Sequence, residues 1–152
     1  MFYILDTNIL IYLIRENPVI RAELTNRGIF QSENTVSISI ASFGEILSFA
    51  LQNNWGERKK NNLENLVANL RPIPIIKRDL LDAYAEIDTY SKGKLAERPL
   101  PTGHTARKMG KNDLWIAATT HLTQATLITN DNDFDHLNGV FIDLLKLSPN
   151  IP

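Results

Sequence analysis

The sequence contains no cysteine, which excludes disulfide scaffolds, thiol catalysis and zinc–thiolate sites and suits a reducing compartment. It also lacks an unbroken apolar run of membrane-spanning length. Its most apolar stretch, MFYILDTNILIYLIRENP, is interrupted by Asp6, Asn8 and Arg15. That stretch has neither a basic leader nor a small-residue cleavage site, so it is expected to supply a core strand and helix of a cytoplasmic protein with no membrane association. Net charge is nearly absent, at −1, and by itself gives no argument for a nucleic-acid partner. The three histidines, His104, His121 and His136, are scattered, which leaves no basis for histidine-driven catalysis. No repeat, low-complexity tract or linker divides the chain. What remains is 152 residues, 43% hydrophobic and 22% charged, read as a single domain over 1–152 that can bury a core without crosslinks.

The charge that is present is unevenly spread. Between Ser91 and Lys111 lie Lys92, Lys94, Arg98, Arg107, Lys108 and Lys111 against Glu97 alone, about +5, which leaves the rest near −6. This segment holds Pro99, Pro101, Gly103 and Gly110 and reads as a long loop. It is either a solvated basic loop or a phosphate-binding one, with Arg107, Lys108 and Lys111 the candidates for phosphate contact.

Apolar runs alternate with helical patterns, which points to an α/β fold with crossover helices. Strands are expected at Phe2–Leu5, Thr35–Ile38, Ile73–Ile76, Ala125–Thr129 and Val140–Ile142. Helices are expected from Asn8 to before Asn17-Pro18, then over Pro18–Arg27, Ile40–Asn53, Glu57–Leu70, Arg78–Tyr90 and Asn112–Leu122. The Asn17-Pro18 stop follows from the resistance of a pre-proline residue to helical geometry.

Four acidic positions stand out against this frame. Asp6 follows the first strand directly, and Asp131 follows the strand ending at Thr129. If these strands are neighbours in a parallel sheet, both carboxylates enter the crevice at its carboxyl edge. Facing acids repel, and a hard divalent cation such as Mg²⁺ or Mn²⁺ relieves that repulsion. Each also has a plain structural alternative, Asp6 capping the helix near Asn8 and Asp131 capping a turn. Glu45 lies off the apolar stripe Ile40, Phe43, Ile46, Leu47, Ala50 and Leu51. It is flanked at helical distances by Ala41, Gly44 and Ser48, small residues that admit a close approach. The alternative is a solvent-facing glutamate. Asp113 stands in the first turn of a helix that is apolar nearly all round, Leu114, Trp115, Ile116, Ala117 and Ala118. That position serves either as a helix-start charge or as an acid projected from the core toward the same edge.

The wording around these acids resembles the PIN-domain family, and the compact length resembles its VapC-type toxin branch. The matching pieces, in order, are Leu5-Asp6-Thr7-Asn8-Ile9-Leu10, Ser37-Ile38-Ser39-Ile40-Ala41-Ser42-Phe43-Gly44-Glu45, Asn112-Asp113-Leu114-Trp115-Ile116-Ala117-Ala118 and Leu127-Ile128-Thr129-Asn130-Asp131-Asn132-Asp133-Phe134. The resemblance implies a three-layer α/β/α fold with a central parallel sheet and a Mg²⁺-dependent endoribonuclease activity, with Mn²⁺ also serving. It places Asp6, Glu45 and Asp113 on the first three family acids and either Asp131 or Asp133 on the fourth. Thr7, Asn8 and Thr129 fall on supporting polar positions. It further implies an RNA substrate, a cognate antitoxin protein that silences the enzyme, and a homodimer.

Other readings fare worse. Asp131-x-Asp133-x-Asp135 imitates a calcium loop, but His136 stands where a glycine is required and Ile142 where a bidentate glutamate is required. A phosphotransfer enzyme built on Asp6 would need a second acid two residues on, where Asn8 stands. The remaining alternative is a catalytically idle PIN-fold module that binds protein or nucleic acid, which four intact acids oppose.

Overall fold

The computed structural model describes residues 1–150. Four short strands form one parallel sheet: β1 (Phe2–Leu5), β2 (Thr35–Ile38), β3 (Thr126–Thr129) and β4 (Asp143–Lys146), in the order β2-β1-β3-β4. Six helices connect them: α1 (Thr7–Ile14), α2 (Pro18–Asn26), α3 (Ile40–Gln52), α4 (Glu57–Leu70), α5 (Arg78–Ser91) and α6 (Lys111–Leu122). A 3₁₀ helix, Asn132–Leu137, follows β3. Among the described residues no helix is long and apolar enough to cross a membrane.

Alternation along the strands divides the core into two clusters. Tyr3 and Leu5 of β1 and Ile128 of β3 pack with Ile9, Leu10, Ile20, Ile46 and Leu63, from α1 to α4. Ile4 and Leu127 turn the other way and meet Leu80, Ile87, Leu114 and Ile116, from α5 and α6. The sheet is therefore covered on both faces, which makes three layers and explains why its central strands read as continuous apolar runs.

Local chemistry sets the helix limits. Asn17 caps α2, its Oδ1 accepting from the Val19 and Ile20 N–H groups at 3.0 Å each, with Pro18 in the first turn where its missing N–H costs nothing. Ser39 caps α3, its Oγ accepting from the Ala41 N–H at 3.2 Å. After α2 the chain passes Gly28 with φ +63°, a left-handed turn that glycine adopts without strain.

Two expected strands are corrected. Ile73–Ile76 does not form a strand. Ile73 alone bridges to Ser39, exchanging bonds with the Ile38 carbonyl (2.8 Å) and the Ile40 N–H (3.0 Å), because Pro72 and Pro74 on either side have no N–H for a ladder. The last strand is Asp143–Lys146 rather than Val140–Ile142. Val140, Phe141 and Ile142 all donate to the Leu137 carbonyl in a tight turn. Phe141 and Ile142 are buried because this turn folds over the second cluster, whereas edge strand β4 is exposed at both ends. Burial here marks a turn, not a strand.

From β1 the chain runs to β2 on one side, and from β2 it crosses to β3 on the other side of β1. Strand order thus reverses between β1 and β3, and a crevice opens at their carboxyl ends.

Candidate active site

Asp6 leaves β1 at this crevice. Its backbone N–H still bonds to the Ile128 carbonyl at 3.0 Å, so the sheet itself fixes its Cα. It occupies the cap position of α1, yet its side chain makes no capping hydrogen bond. Its Oδ2 instead accepts from the Thr129 hydroxyl at 2.6 Å, and the residue is 3% exposed. Burial is the main cause that raises its pKa from 3.8 to about 6; the Thr129 bond opposes the rise, and the charges of Asp113 and Asp131 add to it.

Thr129, at the end of β3, works in two directions. Its hydroxyl donates to Asp6 and accepts from the Asp131 N–H at 2.9 Å, tying the two strand-end acids together. Asp131 in turn begins the 3₁₀ helix, its Oδ1 accepting from the Asp133 N–H at 2.8 Å. The turn-capping role expected as an alternative is thus realised through one carboxylate oxygen. Glu45 is half-buried on α3, and its Oε2 accepts from the Thr7 hydroxyl at 2.8 Å. Both threonines named in the sequence hold an acid in place. Asn8, named with them, is half-buried and makes no side-chain hydrogen bond to any of the acids.

Asp113 stands in the first turn of α6, half-buried. Its pKa is likewise pushed up to about 6, first by burial and then by Asp131, Glu45 and Asp133, with a backbone hydrogen bond from Gly110 opposing. These mutual effects show that acids from four separate chain segments share one neighbourhood. Asp131 acts on both Asp6 and Asp113, whereas Asp133, which is exposed, acts on Asp113. Asp131 therefore stands nearer the centre. None of the five acids forms an ion pair with any described residue; the ion pairs of the chain involve other acids.

Two positioning residues had no signal in the sequence. A Cβ at Gly110 would lie 2.6 Å from Asp113 Oδ2, so glycine there leaves room for the carboxylate to fold back over the helix start. Lys146, at the end of β4, donates to the Asp131 backbone carbonyl, to Asn132 Oδ1 at 2.9 Å and to Asp135 Oδ1 at 2.8 Å, bracing the turn that carries Asp131. The basic segment borders the same turn. Arg107 is half-buried, its Nη1 donating to the Asn132 carbonyl at 3.2 Å. Lys108 and Lys111 are exposed and stand outside every ion pair of the described residues.

Among the described residues no three acidic or histidine side chains close into a ready-made metal cage. The donor set nevertheless fits a hard divalent cation: oxygen ligands only, anionic, partly desolvated and without a cationic partner. An open cluster of this kind matches an ion that retains several waters, as Mg²⁺ does.

The PIN domain family model matches residues 3–140 of this chain. Ribonuclease VapC1 of Haemophilus influenzae is 30% identical over 132 residues, covering 86% of this chain and 87% of that protein. VapBC2 from Rickettsia felis, solved bound to a DNA fragment from its promoter, has a chain that superposes with a TM-score of 0.74 at 23% identity, over 95% of this chain and 98% of that one. VapBC-5 of Mycobacterium tuberculosis, a member of the VapBC family of toxin–antitoxin systems, gives 0.63 at 23% identity, over 96% and 98%. Both structural likenesses are of fold. With the model spanning most of the sequence and a VapC relative matched nearly end to end, the chain belongs to the PIN-domain family, in its VapC-type branch.

Proposed function

We propose that this chain is a Mg²⁺-dependent endoribonuclease, with Mn²⁺ able to substitute, and the toxin half of a type II toxin–antitoxin pair. The observation that carries the reading is the meeting of Asp6, Glu45, Asp113 and Asp131 at one sheet edge with no ion pair to a basic side chain among the described residues, burial and mutual repulsion raising the pKa values of Asp6 and Asp113 to about 6. The ribonuclease name of the Haemophilus relative and the toxin–antitoxin setting of the solved relatives support it.

Asp6, Asp113, Asp131 and Glu45 would hold the ion, with Asp133 at the rim. When bound, it supplies neutralising charge at the scissile phosphate and a water acidified enough to attack near neutral pH. The chain's own residues orient the reaction. Thr129 fixes the Asp6 and Asp131 side of the cluster, Thr7 fixes Glu45, and Lys146 keeps the Asp131 turn in place. Arg107, Lys108 and Lys111 would hold RNA phosphates, which gives affinity and salt dependence but no sequence choice. Attack by water leaves a 5′-phosphate and a 3′-hydroxyl. A cognate antitoxin covering the cleft, a homodimeric assembly and a cytoplasmic setting complete the reading.

The test incubates purified chain with a mixed RNA pool in Mg²⁺ or Mn²⁺, then in EDTA, with Asp6→Asn and Asp113→Asn alongside. Cleavage is expected only with metal and only in the parent chain. Cleavage that survives both chelation and substitution, or a folded chain that binds no divalent ion, overturns the proposal; the latter is the behaviour of an idle module.

A further inference from the structure

An open groove of about 700 Å³ runs between α3 and α6, starting at Glu45 and so directly beside the acids. We propose that it is a nucleobase subsite, in which an unpaired base of the RNA substrate stacks on Trp115; this rests on the nuclease reading above.

The lining determines the class of occupant. Its one charged lining residue is Glu45, and the nearby Arg15 guanidinium is engaged over the Phe49 ring, 5.7 Å from its centroid, so the groove suits an uncharged part of the nucleotide better than a phosphate. Two aromatic rings face it, Trp115 from α6 and Phe49 from α3. Each is braced by a neighbouring ring. Trp115 lies 4.3 Å from the Tyr84 ring, and Phe49 meets Trp55 edge-on at 5.8 Å. A braced ring loses little freedom when a base stacks on it, and stacking tolerates every base because each has a π-face. Polar amides supply the edge contacts. Gln52 donates to Ser48 Oγ at 2.9 Å, which leaves its carbonyl oxygen free, and the Asn112 amide makes no hydrogen bond with any described residue. The opening beside Gly44 is wide, since a Cβ there would meet nothing within 4 Å.

The groove therefore divides labour with the basic loop. Lys108 and Lys111 take phosphate, while Trp115 and Asn112 take a base displayed next to the scissile bond. Only an unpaired nucleotide can present both at once, so the substrate class is single-stranded or loop RNA.

The experiment measures binding of a fluorescent single-stranded oligoribonucleotide, and of copies made abasic at one position each, to the full chain carrying Asp6→Asn in Mg²⁺. Trp115→Ala on that background is expected to weaken the intact oligomer about tenfold. One abasic position should weaken the Trp115 chain by a similar factor and leave the Trp115→Ala chain unaffected. Trp115→Phe should restore most of the affinity. In the parent chain Trp115→Ala should raise KM and spare kcat. RNA should also quench the emission of Trp115 in the unaltered chain, a readout independent of whether the variants fold; Trp55, the second tryptophan, is buried. If the parent cleaves RNA but neither quenching nor the abasic pattern depends on Trp115, the subsite is wrong and the nuclease reading stands. If Trp115→Ala loses a protein partner and keeps its RNA affinity, the subsite is equally overturned. If the parent neither binds nor cleaves RNA, both fall.

Discussion

Acids on the flank of the molecule and acids at its carboxyl sheet edge are treated in opposite ways. On the flank several are given a base: Glu23 pairs with Arg27 at 3.0 Å, Asp82 with Arg78 at 2.8 Å, and Glu16 with both Arg21 and Arg58. These pairs are well exposed, where water already screens the charge and a partner adds little. At the sheet edge, where water is partly excluded and a partner would matter most, Asp6 and Asp113 have none and repel each other. A fold selected for stability alone would arrange its charges the other way round. The difference is what the proposed metal site requires, an edge where stability is given up for a bound positive charge.

The comparison is broken most sharply at Asp6. Its native carboxyl holds the proton more tightly than the unfolded chain does, so ionisation costs stability. The cost is complete above about pH 6, shrinks as the pH falls, and is absent below the ordinary value of 3.8. Asp6→Asn should therefore raise the unfolding free energy of the metal-free chain at pH 8, read from urea titration, by on the order of 2 kcal/mol. At pH 4 most of that gain should be gone, and added Mg²⁺ should reverse the ranking by stabilising only the parent.

A smaller and more local effect is expected at Gly110. Its backbone is extended, with φ −60° and ψ 150°, and accepts any side chain, so Gly110→Ala should fold with nearly parental stability. The methyl group must, however, displace the Asp113 carboxylate. A displaced reacting group costs up to about a hundredfold in rate, and a loss of at least tenfold in cleavage at unchanged melting temperature is the expected outcome. Unchanged cleavage would show that Asp113 tolerates the shift. The smallest effect belongs to the flank: Glu23→Gln, which removes an i,i+4 partner from Arg27, should change stability by about 0.5 kcal/mol or less at any pH above 5, and less still in high salt.

These contrasts also explain what the sequence could and could not reveal. Asp6 and Asp113 were visible because each sits at a boundary between a periodic apolar run and the next element, and such boundaries survive in local pattern. Thr7 and Thr129 were visible only through the resemblance, since nothing in their neighbours announces that their hydroxyls reach Glu45 and Asp6. Gly110 read as loop punctuation, because the atom it makes room for is known only once the helix start is built. Lys146 was invisible for a different reason: it braces a turn eleven to fifteen residues upstream, and the strand that carries it was expected earlier, at Val140–Ile142. That error, like the strand expected at Ile73–Ile76, came from equating an apolar run with a strand. Prolines deny hydrogen bonds in one case, and a turn folds over the core in the other. Arg107 is expected from the sequence to contact RNA phosphate; the structure gives one of its N–H groups to the Asn132 carbonyl, so it also braces the acidic turn.

The claim beneath all of this is that carboxyls from four chain segments crowd together with no basic side chain among the described residues to neutralise them. It can be tested without RNA, by following the Asp and Glu carboxyl carbons by NMR across pH, first metal-free and then in Mg²⁺. Two aspartyl carboxyls, assigned to Asp6 and Asp113 by substitution, should titrate near pH 6 without metal and fall well below it when Mg²⁺ is present. If both titrate near pH 4 in the metal-free chain and ignore Mg²⁺, the acids neither crowd one another nor await an ion, and the account is wrong.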